Sequence, residues 1–177
     1  MREIVAFLGR AGAGKDYQCS LLQQQGYKKL AFADILREMA CETLGLNYDW
    51  AMENYDELKQ TELYNGQTFR NILENLGSSI RKHDKDFFVN AVVRKVIADN
   101  DCSRFCISDL RYINEAIKLT DSFSCGNVRF IFCDYRSDRY QEVNNHESAL
   151  LANLLCEVGY KDLQELSLQD ILKVRSE

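Results

Sequence analysis

The sequence contains no proline, which suits a helix-rich chain, since proline removes a backbone donor and breaks helix interiors. It also lacks a basic excess. Twenty-two Lys and Arg against 27 Asp and Glu leave a net charge of -5. That balance argues against general affinity for DNA or RNA, whose binders usually carry a basic face. A local cluster of arginines could still take a small anionic ligand. Long apolar runs are missing as well. The first run, Ile4 to Leu8, is far too short for a membrane span and shows no signal-peptide cleavage pattern, so no membrane association is expected. No zinc set is legible: the seven cysteines are scattered, and Cys102 and Cys106, the one close pair, have neither a second pair nor a nearby histidine. Buried reduced thiols are therefore expected, and with them a reducing, cytoplasmic setting. The two histidines, His83 and His146, lack a plausible nucleophile and acid around them.

What is present fits one ordinary globular domain: 177 residues, 46% hydrophobic and 28% charged. Residues 2–8 (REIVAFL) read as a short buried strand closed by a glycine. Gly14 to Gln25 reads as a helix stopped by Gly26, and Tyr27 to Phe32 as a second strand. Asp34 is placed to cap a helix running to about Leu44. Apolar spacing predicts helices over 49–64 and 68–82, with Gly66 as a break, and a further helix to about Ala98. Arg104 to Ser108 and Val128 to Cys133 are further buried strands, with a helix over Tyr112 to Leu119 between them. A helix over Glu147 to Val158, a weak strand near Asp162 to Leu166 and a last helix opened by Ser167-Leu168-Gln169-Asp170 complete the pattern. Short apolar strands alternating with helices mean an α/β fold, a parallel sheet with helices on both faces. Ligands bind such sheets at the carboxyl ends of the strands.

Between the first strand and first helix stands Gly9-Arg10-Ala11-Gly12-Ala13-Gly14-Lys15. Glycines let backbone N–H groups turn inward around a polyphosphate, the helix N-terminus adds positive potential, and Lys15 would reach the β- and γ-phosphates. The hydroxyl residue that usually follows the lysine and ligates Mg²⁺ is Asp16 here. Asp16 is either a hard-oxygen metal ligand or an acid favoured by the helix macrodipole.

Asp109 ends the strand RFCIS, where a second carboxylate organising Mg²⁺ belongs; capping the next helix is the alternative. Arg111 and Glu115 are one helical turn apart, and such an arginine could hold an acceptor's phosphate bidentately or simply pair with the glutamate. Arg136 and Arg139 lie in a polar loop after the fourth strand. Mobile arginines there could neutralise charge on a moving phosphoryl group, or merely be solvated. Arg37, Arg70 and Arg81 are further cationic candidates.

In order along the chain, GRAGAGKD (9–16), LAFADILRE (30–38), TFRNILENLGSSIRKHDKDFFVNAV (68–92), ISDLRYINEA (107–116) and NNHESA (144–149) resemble the phage-type deoxynucleoside monophosphate kinases of the P-loop nucleoside monophosphate kinase branch. The resemblance implies a three-layer P-loop NTPase fold with five parallel strands, a helical NMP-binding region over about 34–100 and a lid over about 134–147. It implies transfer of the γ-phosphoryl of ATP, with Mg²⁺, to a deoxynucleoside monophosphate. Gly9 to Lys15, with Asp16, would hold the donor phosphates. Asp34, Arg37 and Arg70 would lie along the acceptor, with Glu115 near its base; Asp109 and Arg111 would organise metal and acceptor phosphate. Arg136 and Arg139 would be lid arginines, and His146 falls in the family's His-containing segment. Two features depart from the family: Tyr17 replaces the usual Thr or Ser, and no glycine-rich adenine loop is evident. The rival readings are another small-molecule P-loop kinase, acting for instance on phosphomevalonate or dephospho-coenzyme A, and a nucleotide-binding regulator without catalysis. Oligomeric state is left open by the sequence, a homodimer being one option.

Overall fold

A computed structural model describes residues 2–134 and 150–174. The chain divides into two compact units, one made of residues 1–31 and 92–177, the other of residues 32–91.

The first unit is built on a five-stranded sheet flanked by helices. Its strands are β1 (Glu3–Gly9), β2 (Lys28–Leu30), β5 (Arg104–Leu110), β6 (Val128–Cys133) and β7 (Gln164–Leu166), in the spatial order β2-β5-β1-β6-β7. Ile4 to Leu8 of the central strand β1 are almost wholly buried, as expected for a strand covered on both faces. The two-residue alternation then sorts the core. Val5 and Phe7 share one cluster with Cys106 of β5, Cys133 of β6 and Cys19 and Leu22 of α1 (Lys15–Gln24). Three neighbouring pairs, β1 with β5, β1 with β6 and β2 with β5, are parallel.

The edge departs from the all-parallel expectation: β7 runs antiparallel to β6. Its three residues, Gln-Glu-Leu, bury Leu166 alone, so the strand never carried the continuous apolar run of an interior parallel strand. An antiparallel strand at the edge of an otherwise parallel sheet meets that pattern. Helices α7 (Ile113–Phe123), α8 (Leu150–Val158) and α9 (Leu168–Lys173) belong to this unit. The Ser167–Asp170 capping box at α9 is formed. No described helix is long and apolar enough to cross a membrane.

The second unit comprises α2 (Phe32–Leu44), α3 (Tyr48–Glu53), α4 (Tyr55–Leu58), the strands β3 (Glu62–Tyr64) and β4 (Gln67–Thr68), and α5 (Phe69–His83). Helix α6 (Phe87–Ala98) begins in this unit's segment. The core of the second unit is Ala40 and Cys41 of α2 against Ala51, Leu58, Phe69 and Leu73. Two expectations fail here. The helix over 49–64 is two short helices followed by a β-hairpin. Asn65 and Gly66, at φ 47° and 75°, form its two-residue turn, and Asn-Gly is the pair that tolerates φ above zero at both positions. Asp34 does not cap α2, which starts at Phe32.

All seven cysteines are free thiols. Cys19, Cys41, Cys106 and Cys133 are buried, Cys102 and Cys156 half-buried, and Cys125 is exposed, contrary to the expectation of uniform burial.

Candidate functional site

The turn from β1 into α1 is set by glycines whose backbone no other residue would adopt readily. Gly9 has φ 145°, and a Cβ placed on it would lie 2.0 Å from the carbonyl oxygen of Cys133, its neighbour on β6. Gly12 and Gly14 are left-handed, at φ 77° and 80°. Left-handed residues in a tight loop turn successive N–H groups to one side, which makes an anion-binding concavity. Gly14 is also the N-cap of α1 and offers no side chain to the helix's first N–H groups, so their positive potential faces outward.

Lys15 folds back over this loop. Its side chain is buried, the residue being 9% exposed, and Nζ donates to the carbonyl oxygens of Gly9 at 2.8 Å and Arg10 at 2.6 Å. The Arg10 side chain is tied by Nε to Asn153 of α8 at 3.0 Å. Burial, and then the Arg111 guanidinium, hold the Lys15 pKa below its ordinary value, against the opposing pull of Cys133, Asp16 and Asp109. The first unit thus brings Arg111, Asp16 and Asp109 each within electrostatic reach of Lys15. Two cations share this site, one of them largely removed from water, and both would be relieved by a bound anion.

Asp16 lies in the first turn of α1 with its side chain 78% exposed. Lys29 of β2 meets it at 2.6 Å. Burial of part of the carboxyl would raise its pKa, but the hydrogen bonds of Lys29 and Ser108, with the charges of Lys29 and Lys15, outweigh that and hold it below the usual range. Neither Lys29 nor Ser108 was singled out from sequence. Ser108 supplies a hydroxyl near Asp16 from β5, in a chain where Tyr17 stands at the usual hydroxyl position. Asp109 follows on the same strand beside an irregularity: between Ala6 and Leu8 of β1 there is one residue, and between their partners Ile107 and Leu110 there are two. Such a bulge re-aims side chains and is common beside active sites.

Among the described residues no group of three or more His, Cys, Asp or Glu could cage a metal ion. Mg²⁺ does not require one: it keeps several waters and takes one or two carboxylates plus phosphate oxygens. Asp16 and Asp109, with the Ser108 hydroxyl, fit an ion that arrives with a polyphosphate.

Glu115 is engaged by the backbone of its own turn. It is 3% exposed, and its Oε2 accepts the backbone N–H groups of Arg111 at 2.9 Å and Tyr112 at 3.0 Å. The carboxylate thereby fixes the turn between β5 and α7 that carries Arg111, which makes it a positioning group. A glutamate at the third position of a helix is the signal for that role.

The second unit holds the other expected residues. Asp34 accepts from Arg37 Nη1 at 2.8 Å, and the Arg37 guanidinium lies over the Tyr55 ring, 4.8 Å from its centroid. Arg37 Nε is buried with no hydrogen-bond partner among the described residues, an unmet donor of the kind that an active or binding site retains. Arg70 is exposed and pairs with Glu74 at 2.9 Å, and it too feels Tyr55. Burial and then the Asp34 charge raise the Tyr48 pKa. The sequence singles out neither Tyr48 nor Tyr55, the latter falling inside the helix expected over 49–64. The Arg81 guanidinium lies over Phe88, 4.5 Å from the ring centroid. Arg136, Arg139 and His146, with the proposed lid, lie outside the described residues.

No protein-family model matches the chain, and no curated protein does. Among solved structures, one similar to this chain is described as the crystal structure of TT1252 from Thermus thermophilus. It is 13% identical, with 99% of this chain and 79% of that chain covered, at a TM-score of 0.41. A likeness at that level supports no argument about activity.

Proposed function

We propose that the chain is a P-loop kinase that transfers the γ-phosphoryl group of ATP to a deoxynucleoside 5'-monophosphate, giving the diphosphate and ADP. The observation that carries this reading is Lys15: a buried ammonium at the uncapped start of α1, held over the Gly9 and Arg10 carbonyls, with Arg111 close enough to depress its pKa. A polyphosphate in the loop would draw Nζ from those carbonyls onto its β- and γ-oxygens and take the first N–H groups of α1. Asp16 and Asp109 would hold the Mg²⁺ that neutralises the bridging oxygens. Arg111, fixed by Glu115, would orient the acceptor phosphate. Asp34, Arg37 and Arg70 of the second unit belong to the acceptor in this reading, Arg37 through its unmet Nε donor. Arg136 and Arg139 would be lid arginines, and the setting would be cytoplasmic.

The test is ADP release with Mg²⁺ and ATP across dGMP, dTMP, dCMP, dAMP and their ribose forms. Turnover with at least one, abolished in Lys15→Ala with the fold retained, is expected; near-normal turnover in that variant would overturn the assignment. Arg111→Ala should weaken acceptor use more than ATP binding. A second reading, a nucleotide-binding regulator without transfer, is favoured by the Asp16–Lys29 pair at 2.6 Å, which occupies a carboxylate that the metal needs. ATP binding without ADP formation across the whole panel would select it.

A further inference from the structure

The first unit carries a second concentration of cations at the other end of its sheet. Where β1, β5 and β6 begin, a cleft of about 400 Å³ is lined by Arg2, Glu3, Arg104, Gly126, Asn127 and Arg129. The seven residues of β1 separate it from the Lys15 loop, roughly 20 Å at about 3.3 Å per residue.

Three arginines line the cleft in a chain of net charge -5, and their partners leave part of the charge unmatched. Arg2 donates to the carbonyl oxygens of Cys102 and Ile97, each at 2.9 Å; these neutral acceptors fix the side chain without cancelling its charge. Arg129 is matched by Glu165 at 3.2 Å and, more loosely, by Glu3 at 3.8 Å. Glu3 in turn accepts from the Tyr27 hydroxyl at 2.6 Å. Arg104 is the most available. Its guanidinium lies over the Tyr27 ring, 5.2 Å from the centroid, and among the described residues its side chain makes no hydrogen bond or ion pair. That contact holds the guanidinium without a hydrogen bond, so its N–H groups are available to a bidentate anion. The cleft is of the size that small ligands occupy. Two carboxylates, Glu3 and Glu165, stand against three arginines, so a multiply charged anion is favoured over water or a cation.

We propose that this cleft is a second anion site, separate from the Lys15 loop, that takes a small polyphosphate-bearing molecule. Its chemistry is shared by inorganic polyphosphate and by a nucleoside triphosphate. The proposal does not depend on phosphoryl transfer at the first site.

Calorimetric titration of the full chain carrying Lys15→Ala weakens the loop, and the cleft variants assign the binding that is left. Inorganic tripolyphosphate is used in one arm and ATP in the other, at about physiological ionic strength, because phosphate contacts weaken with salt. One equivalent of tripolyphosphate is expected to bind. Adding Arg104→Gln should weaken it about tenfold to a hundredfold, the usual effect of losing hydrogen bonds to a charged group. Gly126→Glu provides a check that removes no arginine: a Cβ on Gly126 meets nothing within 4 Å, so the new side chain starts in open space, and its negative charge at the cleft should weaken binding similarly. Tighter binding of ATP than of tripolyphosphate would identify a nucleotide as the occupant, and equal binding a bare polyphosphate; either supports the site. No binding to the Lys15→Ala chain, or unchanged affinity in a Gly126→Glu variant that melts like its parent, would overturn the proposal.

Discussion

Gly9→Ala and Gly14→Ala add the same methyl group to the same loop but should differ sharply in their effect on folding. Both residues sit at positive φ, 145° and 80°, so each variant bears left-handed strain of about 1–2 kcal/mol. Both gain the same small benefit from a less flexible unfolded chain, which cancels in the comparison. The difference is steric. The new Cβ at Gly14 meets nothing within 4 Å, whereas at Gly9 it would lie 2.0 Å from the Cys133 carbonyl oxygen. That oxygen cannot swing aside like a side-chain tip, because it belongs to β6, which is paired with β1 through Gly9 itself. Forcing extra volume into a packed interior costs a further 1–3 kcal/mol or so. Gly9→Ala should therefore lose about 2–5 kcal/mol in total, a large part of the 5–15 kcal/mol or so that folds a typical domain. At about 2–4 °C per kcal/mol for a chain of this size, it should melt several degrees below Gly14→Ala. Thermal unfolding followed by far-ultraviolet circular dichroism reads the difference. Nucleotide titration of the same samples completes the experiment: Gly14→Ala should stay folded and yet bind ATP poorly, because an alanine strained at φ 80° tends to leave the left-handed conformation that turns the loop's N–H groups to one side. If the two variants melt together, the close approach of β6 to Gly9 does not constrain this turn and the steric reasoning fails.

Three further outcomes follow from the same structure. Lys29→Met removes the cation that holds the Asp16 pKa down. The pair's stabilisation is present above the ordinary aspartate pKa and is lost as pH falls through and below it. With Asp16 largely exposed, the loss at neutral pH should be under about 1 kcal/mol by urea denaturation, while the Mg²⁺ dependence of turnover shifts; a large stability loss with unaltered Mg²⁺ dependence would contradict the role given to Asp16. Burial, and then Asp162, push the Cys133 thiol up to about 12. The folded chain then keeps a proton that the unfolded chain gives up at about pH 9, so stability should fall by up to about 1.4 kcal/mol per pH unit above that point. Cys133→Ala should flatten that slope, as read by urea denaturation across a pH series, and an identical slope in the variant would refute the assignment. Cys125 should react with a thiol reagent in the native chain, whereas Cys19, Cys41, Cys106 and Cys133 should react on unfolding. Rapid native labelling of the buried four, read by mass spectrometry, would show that the core opens.

Much of the first unit was legible because its signals are local. An apolar run followed by glycine gave β1 and the loop, and the capping box Ser167–Asp170 gave the start of α9. The misses have local causes too. Over 49–64 the apolar spacing suited a helix, and the Asn65-Gly66 turn signal was outweighed by it. At 162–166 a run with one buried apolar residue could not report strand direction, which pairing with β6 decides. The backbone N–H groups of Arg111 and Tyr112 that engage the Glu115 carboxylate depend on the shape of the turn after β5, which the spacing of Arg111 and Glu115 does not report.

By itself the sequence determined that a glycine-rich turn joins a buried strand to a helix and carries Lys15, since glycine spacing and an apolar run act through neighbouring residues. It also determined that Asp109 and Arg111 stand at the end of another buried strand. The tertiary structure alone decided that Gly9 must be glycine, because the obstructing oxygen comes from Cys133, far along the chain. It alone brought Lys29 and Ser108 to Asp16, set Arg111 near Lys15, and gathered Arg2, Arg104 and Arg129 around one cleft. Each of these depends on which strands lie side by side and in what register, and no local pattern of residues encodes that.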